Sequence, residues 1–323
     1  MRLSLVTRPM TDDKLRLAAQ IGVTDIVADC PRSDPEGFDA LHAGITAIGL
    51  RLAVIENNLP LVRPVLGQDG RDEDIEEIAN VIRQMGRLEI PILCYNFMPS
   101  GNWNRTSVEV PERGGALVSA FDANEMESVS TLLADGTSRD SETAAEDRVP
   151  ADRLWENLEY FLERLLPVAE KEGVALACHP DDPPMSPFRG YDQIMISPGA
   201  FDRLLSLSSS PANGMCFCQG SFASMGVDVI ENIRHFGDSI KYVHFRDVRG
   251  AVPKFVESFH DNGPTDMAEA IRTYLEIGFD GPIRPDHVPV LQGESTDHAG
   301  YTMLGRLHAI GYMQGLIESA RKL

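Results

Sequence analysis

Short apolar runs alternate with stretches of helical period along the 323-residue chain, and this alternation restricts the fold more than any other feature. The runs are Arg2 to Val6, Asp25 to Ala28, Arg51 to Ile55, Pro91 to Tyr95, Val174 to Cys178, Asn213 to Phe217, Lys241 to Phe245 and Gly281 to Arg284. Short, mostly apolar runs bounded by turn residues are the pattern of parallel strands covered on both faces. Between them lie helical stretches at Asp12 to Ile21, Glu36 to Ile48, Glu73 to Met85, Ala151 to Lys171, Pro198 to Leu207, Val227 to Phe236, Thr265 to Leu275 and Tyr301 to Arg321. Thr11 is placed to cap the first, and Gly22 and Gly49 to stop the first two. Eight such units predict an α/β fold, a (β/α)8 TIM barrel, with residues 1–323 forming one domain. No G-x-G-x-x-G follows the first strand and no G-x-x-x-x-G-K-[ST] occurs, so the open doubly wound sheet lacks its signature. The rhythm breaks at 98–149, a Gly-, Ser- and acid-rich stretch read as an irregular insertion after strand four, a lid or an oligomer arm.

The fifth run stops at Cys178-His179-Pro180-Asp181-Asp182-Pro183-Pro184. Pro180 cannot donate to a ladder, so the strand ends there and His179 sits at its carboxyl end. The sixth, seventh and eighth runs end around Cys218, His244 and Asp286. In a parallel barrel all carboxyl ends open on one face, which brings these four residues to one arc of one rim. Singly, each has an ordinary role: a hydrogen-bonded histidine, a small buried cysteine, a helix-capping aspartate. Together they make a mixed N, S, O donor set that suits Mn²⁺, Fe²⁺, Co²⁺ or Zn²⁺ better than Mg²⁺ or Ca²⁺. Around them, Arg105, Arg246 and Arg284 are candidates to fork a carboxylate, against an equal chance of being ordinary surface arginines. His260 is a candidate for a substrate hydroxyl. His287 is a candidate acid or base, and Tyr301, opening the last helix, a candidate proton donor. His42, His235, His298 and His308 fall in helices or outer loops and read as structural.

Lys plus Arg total 29 against 49 Asp plus Glu, a net charge of −20. Such a surface repels nucleic acid and anionic membranes, so neither is an expected partner. No apolar run approaches the length of a membrane span. The N-terminal stretch does not read as a signal peptide, and five cysteines without framework spacing read as reduced thiols, which points to the cytoplasm.

Several motifs resemble mannonate dehydratases, of the xylose-isomerase-like barrel superfamily. They are Cys178 to Pro184, Ser210 to Gly214 with Phe217 to Ser221, Val243 to Val248, and Arg284-Pro285-Asp286-His287. Asn102-Trp103-Asn104-Arg105-Thr106 and Gly300-Tyr301 with Leu304-Gly305-Arg306-Leu307 are similar to that family as well. The resemblance implies Mn²⁺ or Fe²⁺ at His179, Cys218, His244 and Asp286, with His287 and Tyr301 as catalytic groups. It implies Arg105 and His260 on the substrate side, and dehydration of D-mannonate to 2-keto-3-deoxy-D-gluconate. The expected partner is therefore a small sugar acid, taken by a homo-oligomer, a dimer or larger. A metal-dependent sugar or sugar-acid isomerase or epimerase on the same barrel is the alternative, although such sites usually carry acidic shells without cysteine. A barrel-shaped metal nuclease is disfavoured by the charge. A non-catalytic relative is disfavoured because no proposed ligand is missing.

Overall fold

The structure is a computed structural model describing residues 1–99, 103–128, 130–132, 138–139 and 148–322. Elements are numbered in chain order. Eight parallel strands close a barrel: β1 (Arg2–Leu5), β2 (Asp25–Ala28), β3 (Arg51–Glu56), β4 (Ile92–Asn96), β10 (Ala175–His179), β11 (Asn213–Cys218), β12 (Ile240–Phe245) and β15 (Pro282–Pro285). They follow one another around the ring in chain order, and β15 pairs with β1. The expected α/β barrel is what the chain forms.

The sequence-predicted helices appear as α1 (Asp12–Gln20), α2 (Pro35–Thr46), α4 (Arg71–Arg87), α5 (Ala151–Glu172), α6 (Pro198–Ser206), α8 (Val229–Phe236), α9 (Met267–Glu276) and α10 (Met303–Ala320). Thr11 caps α1 by accepting from the Lys14 amide. Helices α3 (Val62–Leu66) and α7 (Gln219–Ser224) are too short for a period to show in the sequence. Helix α10 starts at Met303, so Tyr301 lies in the segment before it rather than opening the helix.

Two apolar layers hold the barrel. Outward strand residues such as Leu5, Leu52, Leu93 and Phe217 pack with helix residues such as Ile78, Ile82, Phe161 and Ile310. Each fully buried Leu, Ile or Phe contributes about 1.5–3 kcal/mol. Val6, Val27, Val54, Ala177, Cys216 and Tyr242 fill the barrel interior. The register sets Cys218 opposite His244, and His244 opposite Arg284. Partners on adjacent strands point the same way, so these three side chains share one layer at the barrel mouth.

The 98–149 stretch is not structureless where it is described. Strands β6 (Ser107–Pro111) and β7 (Leu117–Asp122) join β14 (Lys254–Glu257) and β13 (Val248–Ala251) in an antiparallel sheet of order β13-β14-β7-β6. Strand β5 (Asn104–Arg105) pairs with β8 (Ser130–Leu132), and β8 with β9 (Ser138–Arg139). Phe121, Phe188, Val248 and Phe255 form a small core beneath the larger sheet. These strands escaped the sequence reading because they are short, most mix polar with apolar residues, and the partner of β7 in β14 lies far along the chain. Asn102 of the Asn102-Trp103 motif lies outside the described residues. Among the described residues, no helix is long and apolar enough to cross a membrane. All five cysteines are free and buried.

Candidate metal centre and active site

Strand β10 delivers His179 to the mouth, and Pro180 ends the strand there. His179 Nδ1 lies 2.6 Å from the Pro180 carbonyl, which can only accept, and 3.1 Å from the Asn96 amide nitrogen; the shorter contact favours a proton on Nδ1. The Nε2 lone pair then faces His244 Nδ1 at 3.1 Å. His244 Nδ1 also has a donor-only guanidinium nitrogen of Arg284 at 3.5 Å, while its Nε2 faces the Glu56 carboxylate at 3.5 Å. His244 Nε2 has no hydrogen-bond partner among the described residues; a proton on His244 Nδ1 would be donated to His179 Nε2, and without it the two lone pairs would meet at one point. The donor atoms of His179, Cys218 and His244 all lie within 4.8 Å of each other. Burial alone would raise the Cys218 thiol, but Arg246, its Nε 3.4 Å from the sulfur, and His244 outweigh it and hold the thiol below its ordinary value.

Asp286, the fourth expected donor, lies beside His244 but outside the set of three donors that are all within 4.8 Å of one another. Its Oδ2 lies 3.6 Å from His244 Nδ1 and 3.0 Å from Arg246 Nε, and its Oδ1 accepts from Arg284 Nη1 at 2.5 Å. Burial opposes ionisation, but Arg284 and then His287 hold this carboxyl well below the usual range. Donor atoms about 2.1–2.3 Å from a shared cation sit roughly 3–3.6 Å apart, which the 3.1 and 3.6 Å separations match. Arg105, Arg246 and Arg284 are buried against Asp182, Glu257, Asp286 and Glu56. A divalent cation beside Asp286 and a Cys218 thiolate would be met by their negative charge. Cys94, Cys216 and His244 form a second cluster, but burial pushes both of those thiols up, which disfavours them as thiolates.

The three arginines expected to fork a substrate carboxylate are turned toward protein carboxylates. Arg105 bonds Asp182 at 2.6 and 3.1 Å and Glu257 at 2.6 Å. Arg246 bonds Glu257 at 2.5 Å and Asp182 at 2.6 Å. Arg284 bonds Asp286 and, at 3.2 Å, Glu56.

His287 follows Asp286 with φ +41°, a strained conformation for a side-chain-bearing residue. Its Nδ1 bonds Glu257 Oε1 at 3.0 Å, leaving an Nε2 lone pair 3.6 Å from Asp286 Oδ2. Its ring stacks on Trp103 at 4.1 Å. Burial pushes its pKa down to about 4 against the pull of Asp286, so the ring is neutral near pH 7. Tyr301 lies edge-on to Trp103 at 5.3 Å, its ring 6.0 Å from His287. Burial, then Asp286, pushes its hydroxyl up to about 12, so it keeps its proton. His260 is buried, and burial lowers its pKa to about 4. Its Nδ1 bonds the Phe245 carbonyl, and Nε2 has no hydrogen-bond partner among the described residues.

This arrangement sits in a chain whose residues 9–323 match the family model for D-mannonate dehydratase (UxuA). The chain belongs to the D-mannonate dehydratase family. It is 35% identical over 315 residues to the mannonate dehydratase of Oceanobacillus iheyensis, covering 92% of this chain and 89% of that one. It is 34% identical over 338 residues to that of Streptococcus uberis, covering 97% and 96%. The crystal structure of mannonate dehydratase from Streptococcus suis serotype 2 superposes with a TM-score of 0.88 at 29% identity, covering 100% of this chain and 95% of that one. A xylose isomerase domain protein from Planctomyces limnophilus, at 14% identity and TM-score 0.61, shares the fold.

For this member of the family, sequence reasoning named the donor arc and the His287–Tyr301 pair but missed Glu56, Asp182, Glu257 and Trp103. Asp182 was visible in the Cys178 to Pro184 motif and Glu56 at the end of the third strand, yet neither position shows what it faces. Trp103 was visible in the Asn102 to Thr106 motif without showing what it stacks on, and Glu257 left no signal in sequence, since it meets the site only through tertiary contacts.

Proposed function

We propose that this protein dehydrates a sugar acid, D-mannonate to 2-keto-3-deoxy-D-gluconate and water. The observation that carries the reading is the pairing of a neutral His287 with a protonated Tyr301 beside the His179–Cys218–His244 cluster, in a chain of this family. His179, Cys218, His244 and Asp286 would hold a divalent cation, Mn²⁺ or Fe²⁺ by donor type, with Co²⁺ and Zn²⁺ compatible. Bound there, it would polarise the substrate carboxylate and so acidify the neighbouring C–H.

The chain's own residues supply the proton transfers. His287 Nε2 takes the proton from the carbon next to the carboxylate, and Glu257 on Nδ1 orients the ring and stabilises the imidazolium that forms. Tyr301 donates its proton to the departing hydroxyl at the next carbon. Electrons from the broken C–H bond form the carbon–carbon double bond of an enol, which tautomerises to the 2-keto product. Arg246 and Arg284 act as positioning residues that keep Asp286 ionised and aimed, Arg105 fixes Glu257, and His260 Nε2 is available to a substrate hydroxyl.

The test is incubation of Mn²⁺-loaded protein with C5 and C6 aldonic acids, followed by a 2-keto-3-deoxy acid assay. A keto-deoxy product from mannonate is expected. A product of unchanged mass would replace this reading with an isomerase or epimerase.

A further inference from the structure

Arg306 is fully buried in the first turn of α10, and none of its three guanidinium nitrogens has a hydrogen-bond partner among the described residues. The other buried arginines at the barrel mouth, Arg105, Arg246 and Arg284, are each held by protein carboxylates. Arg306 has only the Tyr301 ring, 4.9 Å from its central carbon. A buried cation with five N–H donors and no acceptor is an expensive feature, retained where an anion arrives to meet it. The surrounding charge points the same way. Arg284, Arg8, Lys14 and the Asp286 carboxylate lie within electrostatic reach of Arg306; Arg8 is already taken by Asp29, and Asp286 by Arg284. Burial first, then Arg284, lowers the Arg306 pKa to about 10, which still leaves it charged near neutral pH.

The Tyr301 contact places Arg306 at the candidate active site. A cleft of about 370 Å³ opens at the carboxyl ends of β1 and β2, lined by Thr7, Arg8, Asp29 and His298 among apolar residues such as Val6 and Met10; Arg306 does not line it and is linked to it through the electrostatic reach of Arg8. Thr7 Oγ1 and His298 Nδ1 are buried atoms without hydrogen-bond partners among the described residues, as suits a site that receives a hydroxylated ligand.

We propose that Arg306 is the residue that receives the carboxylate of the sugar-acid substrate, in a forked pair completed only when substrate is bound. The assignment rests on the dehydratase reading for its ligand but not for its charge. One carboxylate would neutralise Arg306, the fully buried guanidinium whose three nitrogens have no hydrogen-bond partner among the described residues, beside the Tyr301 ring. Neutral sugars and alditols would leave Arg306 unpaired, which makes it a determinant of acid over neutral substrate.

The test uses the Mn²⁺-loaded full chain as wild type, R306K, R306M and R306Q. Initial rates with D-mannonate are combined with thermal unfolding in the presence of D-gluconate, formate or the neutral alditol D-mannitol. Gluconate, and formate more weakly, are expected to raise the wild-type melting temperature, with no shift from mannitol. R306M and R306Q are expected to lose both shifts and to raise KM for mannonate roughly 100-fold. R306K should restore part of the affinity, because it keeps the charge without the fork. Without ligand, the neutral variants are expected to melt no lower than wild type, an outcome that a structural arginine would not give. Unchanged KM in R306M, equal carboxylate shifts in wild type and R306M, or failure of both neutral variants to fold would each overturn the assignment. If wild type does not turn over mannonate but shows Arg306-dependent carboxylate stabilisation, the anion site stands and the dehydratase reading falls. If wild type neither turns over mannonate nor responds to any carboxylate, both fall.

Discussion

His179 Nε2 and His244 Nδ1 lie 3.1 Å apart, a separation that suits either one proton carried on His244 Nδ1 or one cation taking both lone pairs. Two acceptors that close repel unless something positive lies among them. The Pro180 carbonyl favours a proton on His179 Nδ1, and Arg284 beside His244 Nδ1 favours a bare nitrogen there, the pair of states that a shared cation needs.

Chelation is therefore expected to abolish activity, and Mn²⁺ to restore it. At metal concentrations of 100 times Kd, the loaded form gains about 2.7 kcal/mol against unfolding. Cys218→Ser should lower the metal-to-protein ratio measured by elemental analysis after gel filtration. An unchanged ratio would remove Cys218 from the shell, and full activity in excess chelator would remove the metal from the chemistry.

Tyr301→Phe leaves the ring contact with Trp103 in place and deletes only the hydroxyl. Metal content should be unchanged while turnover falls about 10²- to 10⁴-fold. A variant running at the wild-type rate would end the proton-donor role of Tyr301.

The pH profile follows from two displaced groups. His287 must be neutral to accept a proton, and burial sets its pKa at about 4, so kcat/KM should fall as pH drops through that region. Tyr301 must be protonated, and with its pKa at about 12 no loss from it is expected up to pH values near that. Glu257 raises the proton affinity of His287, so Glu257→Gln should move the acid limb to lower pH while lowering the plateau. An acid limb that stays put in Glu257→Gln would assign it to another group.

Gly300 adopts φ +75°, and a Cβ there would lie 2.7 Å from the Trp103 ring. Gly300→Ala is therefore expected to cost about 1 kcal/mol or more in stability from the backbone alone. It should also displace the indole on which His287 stacks, lowering kcat with metal retained. Normal kcat in a folded Gly300→Ala protein would show that His287 is held in place without Trp103.

The barrel was legible in the sequence because each strand is a local apolar run and each helix a local period, and parallel strands buried on both faces need no other code. The rim positions of His179, Cys218, His244 and Asp286 followed, since a strand's end is visible one residue at a time. The sheet β13-β14-β7-β6 was not, because pairs such as Phe121 with Phe255 join short strands far apart in the chain.

What the sequence by itself determined is the order of strands and helices and the chemical identity of the donors at the strand ends. What only the tertiary structure decided is which charges meet. Arg105, Arg246 and Arg284 read alike in sequence as candidate carboxylate ligands, yet barrel closure places Asp182, Glu257, Glu56 and Asp286 against them and leaves Arg306 unmatched. Charge pairing in a low-dielectric interior depends on separations of a few ångströms between residues distant in sequence, and no local pattern encodes those separations.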